Sequence, residues 1–257
     1  MLASLALVAC GPADPGPGVR ATAHDDTQAE TTYLAPPSLM QASRMASGRV
    51  VMTGRAQPGA HVRLATPAGV AVTAAADASG AWRIALPPAS DLRLFGLSMS
   101  QGERTVQSEG YLAVTPDGHA AQLRSGAAAL VLGAPAGALR ILAVDYDRKG
   151  GAVISGAAGA GDTVGIAIDG IQRQATADAD GRFILSLNEP LATGVHQVEA
   201  VEGPARVRAD VPVSPAAPLT PGPFRAERTG FGWRIDWMTP GGGVQTTLIL
   251  EPSESPA

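Results

Sequence analysis

Residues 151–187 read GAVISGAAGAGDTVGIAIDGIQRQATADADGRFILSL, and residues 49–86 read RVVMTGRAQPGAHVRLATPAGVAVTAAADASGAWRIAL. The two stretches repeat one pattern. Gly54 answers to Gly156, Gly59 to Gly161, Val62 to Val164, and Gly80-Ala81-Trp82 to Gly181-Arg182-Phe183. The echo recurs at a spacing of about 100 residues, the size of a single domain, so it bears on the whole architecture. Shorter echoes follow: Val114-Thr115-Pro116 with Val213-Ser214-Pro215, Arg124-Ser125-Gly126 with Arg228-Thr229-Gly230, and Pro135-Ala136-Gly137 with Pro240-Gly241-Gly242.

The period inside each copy is that of a strand. In Thr163 to Ile168 the apolar residues Val164, Ile166 and Ile168 fall on one face. Asp169-Gly170 then fits a two-residue type I′ hairpin, because both residues tolerate positive φ. Gln172 to Ala177 returns, Asp178-Ala179-Asp180-Gly181 turns again, and Phe183, Leu185 and Leu187 alternate inward. A last pair, His196 to Val201 and Ala205 to Val213, completes a meander. Copy one matches it with Val62/Leu64, Trp82/Ile84/Leu86 and Phe95/Leu97/Met99. Turns at such short intervals predict a β-sandwich. Segments 119–145 and 223–250 each read as strand, turn, strand. Each is expected to append a β-hairpin that extends one sheet, with the final strand closing its own unit. The expected fold is therefore all-β, with two tandem β-sandwich modules after a disordered N-terminal tether. Expected boundaries are 1–9 signal peptide, 10–47 tether, 48–147 unit 1, 148–252 unit 2 and 253–257 disordered tail.

Composition agrees. The 257 residues include 31 glycines and 21 prolines, only 4% are aromatic, and the formal net charge is −4. Many turns and small aliphatic cores follow. No basic run is present, which argues against nucleic acid as a partner. The opening Met1-Leu2-Ala3-Ser4-Leu5-Ala6-Leu7-Val8-Ala9-Cys10-Gly11 is a short apolar stretch ending in small residues. It resembles the lipobox of bacterial lipoproteins, which implies cleavage before Cys10 and a lipid on its thiol. Cys10 is the single cysteine, so no intrachain disulfide competes for it. The following GPADPGPGVRATAHDDTQAETT has no apolar periodicity and reads as a spacer. Gly11 in place of Asp resembles lipoproteins sorted to the outer membrane. A periplasm-facing lipoprotein of a Gram-negative envelope is expected.

The pattern Ser/Thr-Gly-x-Ala-x-x-Gly-x-x-Val, then Ala-Asp-Ala-x-Gly-x-Trp/Phe, resembles bacterial immunoglobulin-like (Big-type) repeats of envelope proteins. The lead-in Leu142-Ala143-Val144-Asp145-Tyr146-Asp147 is similar to that of such modules in alphaproteobacterial LysM-containing proteins. No LysM-like segment follows Leu250-Glu251-Pro252, so direct peptidoglycan binding is not implied. The resemblance implies a fold rather than an activity, since these sandwiches host unrelated roles.

Catalytic chemistry finds no foothold. His24, His61, His119 and His196 are scattered, no Gly-x-Ser-x-Gly elbow occurs, and no cofactor motif is present. No catalytic residue and no cofactor are expected. Asp145, Asp147, Asp178 and Asp180 are candidates for calcium, a hard cation that takes carboxylate oxygens; the competing reading is turns that use Asp to bond their own backbone. Trp233, Ile235 and Trp237 share one strand face. Either they fill a core or inter-module contact, or Trp233 and Trp237 form an exposed binding face. Three roles follow: a lipid-anchored, non-catalytic scaffold or docking module for other envelope proteins; a glycan- or peptidoglycan-binding module using the aromatic face; or an accessory subunit of a surface appendage or secretion machine.

Overall fold

The structure, a computed structural model, describes residues 33–133 and 137–251. Cys10, the expected leader and the expected tail lie outside the described residues. All regular elements among the described residues are strands, paired antiparallel. In the first half they are β1 (Ser38–Arg44), β2 (Val50–Arg55), β3 (His61–Ala65), β4 (Ala71–Ala75), β5 (Ala81–Leu86), β6 (Arg93–Gln101), β7 (Arg104–Gln107), β8 (Tyr111–Val114), β9 (Ala120–Leu123) and β10 (Leu130–Leu132). In the second they are β11 (Arg140–Asp147), β12 (Ala152–Ala157), β13 (Thr163–Ile168), β14 (Ile171–Thr176), β15 (Arg182–Ser186), β16 (Gly194–Glu202), β17 (Ala205–Val213), β18 (Phe224–Thr229), β19 (Gly232–Met238) and β20 (Val244–Leu250).

The repeated glycines have one local cause. The pairing of β1 with β2 shifts register between Leu39 and Gln41, and that of β11 with β12 shifts between Ile141 and Ala143. Gly54 and Gly156 lie opposite these bulges. A Cβ on Gly54 would sit 1.9 Å from the Ser38 carbonyl oxygen and 2.5 Å from the Trp82 ring. On Gly156 it would sit 2.2 Å from the Arg140 oxygen and 2.2 Å from the Phe183 ring. Bulge, glycine and ring are one unit, present twice. The Asp169-Gly170 hairpin is as read: φ is 50° and 83° at the two residues, and Ile168 pairs with Ile171.

Four sheets result, in strand order β1-β2-β5, β10-β9-β8-β6-β3-β4 with β7 also on β6, β15-β12-β11-β20-β19-β18, and β14-β13-β16-β17. One apolar cluster lies between the first two, with Met52, Leu64, Trp82, Leu86, Phe95 and Met99 among its members. A second lies between the last two, around Ile154, Ile166, Phe183, Val198, Val211 and Leu248. These are the face-to-face sandwiches that period-two burial demands.

A third cluster joins the two inner sheets back to back. Leu94, Ala113, Ala121 and Leu123 from β6, β8 and β9 meet Ala143, Trp233, Ile235, Trp237 and Ile249 from β11, β19 and β20. Strands at this joint are buried on both faces, so their apolar residues run on instead of alternating: Leu112-Ala113-Val114 in β8 and Thr246 to Leu250 in β20 are all buried. From Leu34 onward the described residues form a single contact unit.

Two expected boundaries move. β1 lies inside the stretch assigned to the tether (10–47), because Leu39 packs into the first core. β11 lies inside the stretch assigned to unit 1 (48–147) yet pairs with β12 and β20. The two appended segments also attach differently. β9 and β10 extend the sheet of β6 and β8, whereas β18, β19 and β20 extend the sheet of β11.

Candidate functional site

The joint has a polar rim built on a buried carboxylate. Asp145 on β11 faces out of its own sandwich and into the loop between β9 and β10. Its Oδ2 accepts from the Ala129 N–H at 2.7 Å, and its Oδ1 accepts from the Thr247 hydroxyl at 2.6 Å and from Gln245 Nε2 at 3.4 Å. Gln245 also donates to the Arg124 carbonyl at 3.1 Å and accepts from the Gly126 N–H at 3.0 Å. Ser155 donates to the Ala129 carbonyl, and Arg182 to the Val131 carbonyl. Burial pushes the Asp145 carboxyl up to about 6, against the pull of the Ala129, Thr247 and Gln245 donors and of the more distant Arg124.

Trp233 and Trp237 are inside this joint, 6% and 0% exposed. The reading that made them an open binding face is therefore corrected to packing between the halves. Two of the three tryptophans thus go where two sheet faces must both be covered. The Tyr111 ring meets Trp237 edge-on at 5.9 Å. Trp237 Nε1 donates to Thr247 Oγ1 at 3.1 Å, so Trp237, Thr247 and Asp145 form one chain of hydrogen bonds. Trp233 Nε1 is buried without a partner among the described residues.

The remaining calcium candidates serve turns. Asp147 Oδ1 accepts from the N–H groups of Lys149 and Gly151, and Asp178 Oδ1 from those of Asp180 and Arg182. Asp77 does the same in copy one, holding Ser79 and Ala81, and the Ser79 hydroxyl bond leads in lowering its pKa. Asp145, Asp147, Asp178 and Asp180 are not gathered at one place; among the described residues no three His, Cys, Asp or Glu side chains are grouped as metal ligands.

A second polar arrangement, on the outer sheet of the second half, has no signal in the sequence. His196 on β16 places Nδ1 2.7 Å from Asp169 Oδ2 and Nε2 2.7 Å from the Ala192 carbonyl. A cavity of about 240 Å³ lies beside it, floored by Ile168, Leu187 and Leu191 and edged by Ile171, Arg173 and Glu189. Asp169 had been legible only as a turn residue. Nothing in the sequence links it to a histidine far along the chain; only the pairing of β13 with β16 does so. A smaller cavity of about 130 Å³ adjoins Tyr146, Lys149 and Ser214. Arg234 seals one side of that region by donating to the Tyr146 hydroxyl and to Ser214, while pairing with the buried Asp236.

No known protein family matches the chain, and no curated protein matches it. Among solved structures it is similar to the BSP domain of a biofilm associated protein, at 16% identity over 72% of this chain and 30% of that one, with a TM-score of 0.25. It is also similar to a Ca²⁺-stabilized adhesin that helps an Antarctic bacterium bind ice, at 16% identity over 82% and 59%, TM-score 0.24. A third is the central fibronectin-III array of RIM-binding protein, at 13% identity over 87% and 88%, TM-score 0.25. The chain thus spans 30% and 59% of the lengths of the first two. Likeness at this level says nothing of what this chain binds.

Proposed function

We propose that this chain is a non-catalytic docking module of a bacterial cell envelope, anchored through a lipid on Cys10 and holding partner proteins at a set distance from the membrane. The observation that carries this reading is the joint. Two sandwiches on a flexible link would present their surfaces in many orientations. Two sandwiches fused through Leu94, Leu123, Trp233, Ile235, Trp237 and Ile249 present them in one. A fixed body on a tether favours simultaneous engagement of two partners, because the effective concentration of the second site depends on geometry. The sugar-stacking alternative loses its support, since both tryptophan rings it required are covered.

The test is fractionation and crosslinking in cells. The wild-type chain is expected in the membrane fraction, and a short crosslinker should capture the same few envelope proteins in repeated cultures. Cys10→Ala should release the chain and reduce that capture. Recovery of the chain alone, and soluble with or without Cys10, would sink the proposal.

A further inference from the structure

We propose that His196 works a pH-dependent strap: as an imidazolium it ties the Ala192 carbonyl, at the end of the connector of residues 187–193, to Asp169 at the tip of the β13–β14 hairpin, and as a neutral imidazole it releases that carbonyl. The geometry requires the charged form. Both ring nitrogens face oxygen acceptors at 2.7 Å, one a carboxylate and one a backbone carbonyl. A neutral ring has a single N–H, so one of the two contacts would set a lone pair against an oxygen. The ring is only 12% exposed, whereas Ala192 is exposed, so a released carbonyl can turn to water.

The duplication supplies an internal control. Leu64 of β3 lies opposite Leu97 of β6, and its counterpart Ile166 of β13 lies opposite Ala200 of β16. Counted from that register, His196 stands where the first half has Arg93. Arg93 Nη1 donates to the Pro87 carbonyl at 3.0 Å, pinning the matching connector. The same strand position therefore holds a cation on the preceding loop in both halves. In the first half the cation is a guanidinium, charged at every working pH. In the second it is a group that titrates.

The charged neighbours of His196 are Asp169 at the hairpin tip, Arg173 on β14 and Glu189 in the connector. On β17 its cross-strand partner is Val211. The Ala192 and Asp169 bonds raise the His196 pKa above its ordinary value, and the His196 bond lowers that of Asp169. The strap thus holds from the lowered Asp169 value, below the ordinary aspartate range, up to the raised His196 value and loosens above it. Release is local. The Leu187 and Leu191 N–H groups stay on the Ala152 and Gly150 carbonyls, and the Gln197 N–H stays on Asp169 Oδ1. What moves is Ala192, at the wall of the 240 Å³ cavity, with Thr193, which lines the 130 Å³ one.

The experiment is NMR on the full chain with ¹⁵N-labelled backbone and histidine. His196 is expected to titrate above the ordinary value, as a doubly protonated ring below its midpoint. The amide signals of Ala192 and Thr193 should move with that midpoint, Thr193 most, because its N–H shares a peptide plane with the Ala192 carbonyl that His196 binds. Asp169→Asn, which tolerates the left-handed turn, should lower the midpoint. His196→Arg, which puts a permanent cation at the position Arg93 holds in the first half, should leave those two signals independent of pH. A His196 midpoint at or below the ordinary value overturns the proposal, as do Ala192 and Thr193 signals that ignore it. So does His196→Arg retaining the wild-type pH dependence.

Discussion

At the scale of single residues, the two joint tryptophans make opposite predictions from the same substitution. Trp237→Phe removes the donor that feeds Thr247 Oγ1, which in turn donates to Asp145. Loss of a buried bond in such a chain costs about 1–3 kcal/mol, read as a shift of the denaturant midpoint. Trp233→Phe removes an N–H that is already orphaned, so the lost area and the relieved desolvation oppose each other. Its stability should stay within about 1 kcal/mol of wild type. Equal losses for both would refute the hydrogen-bond account. Asp145 adds a pH signature. Its folded pKa, about 6, lies above the ordinary aspartate value, so its stabilising contribution is complete below about pH 4 and disappears as pH rises through 6. Asp77 and Asp169 act in the other sense, since their lowered values contribute above the ordinary aspartate range and are lost on acidification. The wild-type curve mixes these, so the informative quantity is the difference from Asp145→Asn. That difference should change between pH 4 and 6 and be flat above 7.

At the scale of elements, the repeated glycine and ring were the most legible pair, and the bulge they face, seen only in the fold, makes them the least tolerant. Gly54→Ala or Gly156→Ala would drive a methyl into a carbonyl and an aromatic ring at once. Neither neighbour is the loose end of a flexible chain, so each variant should lose about 3 kcal/mol in chemical unfolding, the upper range for overpacking. An unchanged midpoint would show that the bulge relaxes freely. These strands could be read from sequence because each covers one core: Val164, Ile166 and Ile168 alternate with exposed or half-buried neighbours. β11 and β20 could not be placed the same way. Their second faces are covered by the other half, so Gln245 and Thr247 are buried although polar. A period-two reading assigns such residues to solvent. That is why the polar rim of the joint and its carboxylate emerged only from the fold, whereas burial of Trp233 and Trp237 was one of the two readings open in the sequence. The His196 strap was hidden for a related reason, since its partners come from a hairpin tip and a connector that meet only when β13 pairs with β16.

For the whole molecule, the question is whether the halves melt together. Leu92, Leu94, Leu123, Trp233, Ile235, Trp237 and Ile249 are all nearly or fully buried at the joint. At about 1.5–3 kcal/mol for each large apolar side chain covered, their contact is worth on the order of 10 kcal/mol, even allowing for partial cover within each half. That is comparable to the whole stability of an ordinary domain. Neither sandwich can then unfold without exposing the other's joint face, and calorimetry of the wild type should show one transition. Leu123→Asp places an unpaired charge in the middle of that face, at a side chain that makes no contribution to either sandwich core. The cheapest escape is to open the joint and hydrate the carboxylate while both sandwiches stay folded. The variant should therefore show two separated transitions and a larger radius of gyration by X-ray scattering, with strand content by circular dichroism unchanged at room temperature. A single transition at lower temperature with the same radius would mean that the halves are not independent folding units, and that the third cluster is part of one continuous core.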